Sequence, residues 1–132
     1  MTLNALTSTA TARELAIGFV TNQAPSGVGG NRLIIPANSI RTYRISIIGI
    51  DTNNATNVGA FDRLIRAQND GGSVIILSTD TIGTDVNPDS WEGISVATID
   101  VSGKDIVQIL VSGKTSRTIK WVGNLEITEL ND

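Results

Sequence analysis

The sequence predicts an all-β protein: an antiparallel β-sandwich, jelly-roll or immunoglobulin-like, of about seven or eight short strands. Three observations predict it. Near the C-terminus, every second residue from Ile119 to Ile127 is apolar or glycine (Ile119, Trp121, Gly123, Leu125, Ile127), which is the period of a strand with one buried face. Turn-forming clusters punctuate the chain between β-branched runs. Hydrophobic residues make up 40% of the chain but aromatics only 4%, so the core has to be built mainly from Ile, Val and Leu.

The elements follow in order. Residues 1–11, "MTLNALTSTAT", are Thr-rich and weakly apolar, and they read as an N-terminal arm ordered on a partner. Residues 12–132 read as a single sandwich domain, long enough to bury a real core. In "ELAIGFVT" (14–21), Leu15, Ile17 and Phe19 alternate with Ala16, Gly18 and Val20. "APSGVGGN" (24–31) is a loop by composition, and it carries neither GxGxxG nor a Lys-Ser/Thr ending. Residues 32–50 hold a short strand, a turn around Pro36-Ala37-Asn38-Ser39 and a longer β-branched strand. "FDRLIRAQ" (61–68) is ambiguous. Phe61, Leu64, Ile65 and Gln68 suit a helix, yet the "NDGG" that follows is a hairpin signal and needs a strand before "SVIILST" (73–79). "ISVATIDV" (94–101) and "IVQILVS" (106–112) flank a second hairpin candidate, "SGKD".

Charge and composition exclude several classes. The net charge is −3, with no Lys/Arg cluster, so the concentrated positive field that nucleic acid requires is missing. No apolar run is long enough to cross a bilayer as a helix, and the N-terminus lacks the pattern of a signal peptide. There is no cysteine, which points to synthesis in the cytoplasm without disulfides. Charged residues are 17% of the chain, below the roughly 25% of ordinary globular chains, which fits a surface partly covered by partners.

Without His or Cys, the commonest catalytic bases, thiol nucleophiles and zinc ligands are absent. The densest acidic group is Asp80, Asp85, Asp89 and Glu92. Asp85, Asn87 and Asp89 match the first ligand positions of a calcium loop, which then fails at Ser90, where glycine is needed, and at Val96, where a bidentate Glu is needed. The bland reading, a turn-rich loop whose Asp and Asn cap their own backbone, is preferred. No catalytic, cofactor or metal residues are assigned. Trp121 and Trp91 could form a stacking platform for sugar rings. Trp121 lies on the apolar face of its strand and is expected in the core; Trp91 is expected to plug one end of the sandwich. Phe19 and Phe61 complete the expected aromatic core.

Three stretches carry a family resemblance: "IPANSIRTYRISIIGID" (35–51), "AFDRLIRAQNDGG" (60–72) and "SWEGISVATIDVSGKDIVQILVSGKTSRTIKWVGNLEITEL" (90–130). They resemble a β-sandwich module of virion structural proteins from tailed phages, including cyanophages and prophages. The matching features are Trp91 before a strand, Val111-Ser112-Gly113 ending an apolar strand, then Ile119, Trp121 and Glu129, with Gly123 where that module has Ala. The likeness covers roughly residues 32–130 and implies a structural role with no catalytic residues. A single module that opens on its own Met1 favours a capsid decoration or cement protein of the virion. It would form a homo-oligomer, expected to be a trimer, and bind the major capsid protein or another virion protein. A tail or tail-fibre module is the first alternative and a carbohydrate-binding domain the second; an enzyme comes last.

Overall fold

The computed structural model describes residues 1–17 and 32–131. Phe19 and the Gly-rich stretch 26–31 lie outside the described residues. Among the described residues, ten strands form two antiparallel sheets around one core: β1 Thr2–Thr7, β2 Arg13–Glu14, β3 Ala16–Ile17, β4 Leu33–Ile34, β5 Ser39–Asp51, β6 Asn54–Asn69, β7 Val74–Thr81, β8 Gly93–Val101, β9 Lys104–Ser112 and β10 Ile119–Asn131. The larger sheet runs β3-β1-β10-β5-β6-β7. In the smaller sheet β9 pairs with β8 along its length, and with β2 and β4 end to end on its other edge. The all-β antiparallel sandwich is the expected fold.

The alternation read from sequence sets the faces. On β5, Tyr43, Ile45 and Ile47 point inward; on β10, Ile119, Trp121 and Leu125 do. Val107, Ile109 and Val111 of β9 meet them from the smaller sheet. "FDRLIRAQ" is strand: β6 turns through Asp70–Gly72 into β7, and Asp70 accepts hydrogen bonds from the backbone N–H of Gly72 and Ser73. Gly71 takes a positive φ of 98°, as a tight hairpin turn requires. The helix-like spacing misleads because Arg63, an inward position of β6, is polar. It is accommodated by a bidentate ion pair with Asp85 at 2.7 and 2.8 Å.

The N-terminal arm is corrected. Residues 2–7 form β1, which lies inside the larger sheet with six register pairs to β10 on one side and β3 on the other. Leu3, Ala5 and Thr7 are buried, and the indole N–H of Trp121 donates to Thr7 Oγ1 at 2.9 Å. The amino terminus itself donates to the carbonyl of Leu125 at 3.0 Å.

A second departure is the edge of the smaller sheet. Arg13 and Glu14 pair with Val111 and Leu110, and the Leu15 N–H donates to the Ile109 carbonyl. Leu33 and Ile34 then pair with Val107 and Ile106, and the Ile35 N–H donates to the Asp105 carbonyl. The two pieces therefore continue one ladder on β9. Across the break, Arg32 Nη2 meets Glu14 Oε2 at 2.8 Å with both side chains 4% exposed. Burial pushes the Glu14 carboxyl above its ordinary range, and Arg32 pulls it back only in part. Within the expected strand 14–21 the described residues form two short strands, β2 and β3, which with β1 brings the number to ten among the described residues.

Two glycines shape the centre of the core. Gly49 and Gly59 pair directly across β5 and β6, and Gly49 pairs with Trp121 on β10. A Cβ on Gly59 would lie 2.8 Å from both Phe61 Cε2 and Trp91 Cζ3; one on Gly49 would lie 2.9 Å from Trp121 Cε3. The missing side chains leave the slot that two indoles and a phenyl ring fill. Trp91 stands edge-on to Trp121 with centroids 5.4 Å apart, and Phe61 tilts against it at 6.0 Å. Gly59→Val is expected to lower stability by about 1–3 kcal/mol through overpacking. The readout is the urea midpoint at unchanged slope; a midpoint equal to that of the parent chain would mean the slot has room.

Candidate functional site: an apolar sheet face

The side chains between the inward ones of β5, β6 and β10 point away from the core, and at one end of the larger sheet they are apolar. The register sets them in two rows. Val122, Ile48, Ala60 and Val86 lie side by side, Val86 being joined to Ala60 by an isolated bridge. The next row is Leu6, Lys120, Ile50 and Val58. Exposure is 57% for Ile48, 50% for Val86, 42% for Val58 and 38% for Ile50, high for aliphatic side chains that adjoin one another. They line an open groove of about 320 Å³. Clustered apolar patches on water-facing surfaces are characteristic of protein contacts, membrane contacts and ligand grooves.

Below this patch the same face turns polar. Asn124, Ser46 and Asp62 form the next row, followed by Glu126, Arg44 and Leu64. Farther along, Arg66 pairs with Asp80 at 3.1 Å, an exposed contact. The phase of Ile48 and Ile50 was legible in "SIIGI", where isoleucines occupy both faces of the strand. Val86 was not legible, because it reaches the sheet from within a loop.

The acidic loop is structural in its contacts. Asp85 holds Arg63. Asp89 accepts from Arg117 Nε at 2.9 Å, from the Trp91 indole N–H at 3.2 Å and from Lys114 Nζ at 3.3 Å. The side-chain amide of Asn87 donates to the Trp91 carbonyl at 2.8 Å and accepts from its N–H at 2.9 Å. These contacts hold Trp91 in the core at 4% exposure. Among the described residues no group of three or more acidic side chains is placed to hold a metal ion. Trp121, Tyr43 and Phe61 are also buried, so none of these aromatics offers a sugar-stacking platform.

Hydrogen bonds from Arg63 hold the Asp85 carboxyl below its ordinary value of 3.8. For Asp89, burial works upward, but the bonds from Arg117, Trp91 and Lys114 outweigh it and the net shift is downward. Backbone N–H groups lower Asp70. A lowered carboxylate contributes stability that is present above its unfolded pKa and lost as pH falls through the folded one. Glu14, being raised, has the opposite sign: its contribution is present below 4.5 and lost as pH rises through its folded value. Three groups against one predict a molecule that loses stability in acid below about pH 4. Asp85→Asn is expected to flatten that acid limb and to cost about 1 kcal/mol or less at neutral pH, since the pair is partly solvated. Melts of both chains across the acid range check this; parallel acid limbs would remove Asp85 from the account.

No family model matches the chain. No curated protein matches it either. A solved structure with a related chain path is the tailspike protein of Acinetobacter baumannii phage AM24, at a TM-score of 0.43 and 11% identity. The alignment covers 99% of this chain and 27% of that one, so the chain spans about a quarter of the tailspike's length. A likeness this shallow bears on neither family nor function.

Proposed function

We propose that the chain is a virion structural protein of a tailed phage, a non-enzymatic β-sandwich that attaches to protein through the apolar face of its larger sheet. The observation that carries this reading is the patch itself. Ile48, Ile50, Val58 and Val86 are exposed and, with half-buried Val122, adjoin one another on one face. The class of partner comes from the phage-module resemblance of residues 35–51, 60–72 and 90–130. Within that class we favour attachment to the head shell as a decoration protein, adding binding energy between neighbouring shell subunits. Attachment to the tail or its fibres is the other position.

The test is co-sedimentation of the purified protein with undecorated heads and, separately, with tails. Ile48→Asp should weaken attachment roughly tenfold or more, because it puts a charge in the centre of a buried contact. Its melting curve should stay that of the parent, since Ile48 faces away from the core. Binding to tails and not heads would move the protein to the tail. Binding to neither, or binding unaffected by Ile48→Asp, would overturn the reading.

A further inference from the structure

The apolar face is also self-complementary. Around Ile48, the register of β10, β5 and β6 forms a grid of three rows: Lys120, Ile50 and Val58; Val122, Ile48 and Ala60; Asn124, Ser46 and Asp62. Lys120 and Asp62 occupy opposite corners. Both are exposed, and neither has an ion-pair partner among the described residues. From the ordinary sheet spacing of about 4.8 Å between strands and about 3.4 Å per residue, each lies on the order of 8 Å from Ile48 within the sheet plane.

We propose that the occupant of this face is a second copy of the chain, docked face to face about a two-fold axis that passes over Ile48. The proposal rests on the apolar face being the attachment surface: away from the virion a second copy covers it, and the virion partner takes that copy's place. Two sheets can face each other under two-fold symmetry only if the axis lies in the plane between them. Setting that axis perpendicular to the Lys120–Asp62 diagonal brings Lys120 of each copy over Asp62 of the other. The same rotation sets Ile48 on Ile48, Ile50 near Ala60 and Val58 near Val86. The strands of the two sheets then cross at roughly 70°, close to the orthogonal class of sheet packing. Ile48, Ile50, Val58 and Val86 thus meet apolar partners, Val122 comes near Ser46, and each unpaired charge meets its opposite, twice. An axis along the strands would instead set Lys120 on Val58 and Asp62 on Asn124, leaving both charges unpaired.

The test is the oligomeric state of the intact chain in solution, by sedimentation equilibrium up to high micromolar concentration. The expected mass is twice the monomer's 13.9 kDa. Lys120→Glu and Asp62→Lys, each alone, should raise the dissociation constant about tenfold or more, because each breaks two pairs and sets like charges together. The double change should recover most of the loss, with folding monitored by circular dichroism throughout. High salt should weaken the parent dimer and strengthen the single variants. A monomer, a trimer, or a double variant no tighter than the singles would overturn the proposal. A monomer whose binding to heads or tails is still lost on Ile48→Asp would overturn self-pairing alone, with the attachment reading intact.

Discussion

A chain lacking residues 2–11 is expected to be unfolded in buffer at room temperature, or to retain only a loosened fraction of its sheet. The deletion removes β1, an interior strand of the larger sheet. Six register pairs to β10 go, and β3 loses its neighbour. Leu3 and Ala5 leave the core; burying a Leu side chain alone is worth about 1.5–3 kcal/mol. The Trp121 indole N–H loses Thr7 Oγ1, and an orphaned buried donor costs about 1–3 kcal/mol more. Against a typical total stability of about 5–15 kcal/mol, these losses with an exposed flank of β10 leave little. Far-UV circular dichroism and a urea transition are the measurement. A truncated chain that melts like the intact one would mean that β1 is a dispensable arm after all.

That the sequence of β1 reads as an arm has a physical cause. Its inward residues are Leu3, Ala5 and Thr7, and only the first announces a core face. Ala5 pairs with Trp121 in register, and Thr7 is there for its hydroxyl. A strand that lies beside a large aromatic contributes small or polar inward residues, so its alternation fades. The strands opposite it are legible for the converse reason. Residues 43–49 and 119–127 carry bulky aliphatic or aromatic side chains at every inward step, broken only by Gly49 and Gly123, which leave room for Trp121 and Ile45. The split edge of the smaller sheet was beyond pattern reading. Arg13–Leu15 and Arg32–Ile35 are too short to show a period, and what unites them is their register on β9 and the buried Glu14–Arg32 pair. Of the apolar face, the half on β5 could be read from "SIIGI". The rest depends on which loop residue reaches the sheet, and that is a tertiary fact.

Trp121→Ala is expected to cost about 3–5 kcal/mol, the range for truncating a buried large aromatic. Its indole is wholly buried and joins four parts of the molecule. It fills the space above Gly49 on β5, packs against Trp91 from the loop before β8 and Phe61 from β6, and donates to Thr7 on β1. The neighbours have little freedom to close the void. Trp91 is held by the Asn87 amide, Asp89 accepts from its indole N–H, and Phe61 sits in a long strand paired on both sides. Trp121→Phe should recover part of the loss by restoring ring contacts, but it cannot supply the donor to Thr7. Pairing Trp121→Phe with Thr7→Val should therefore be less damaging than the sum of the two single changes, because it removes the donor and the acceptor together. Urea transitions of the four chains measure the coupling. Strict additivity would show that the hydrogen bond contributes nothing beyond packing. A Trp121→Ala chain as stable as the parent would place this indole outside the core.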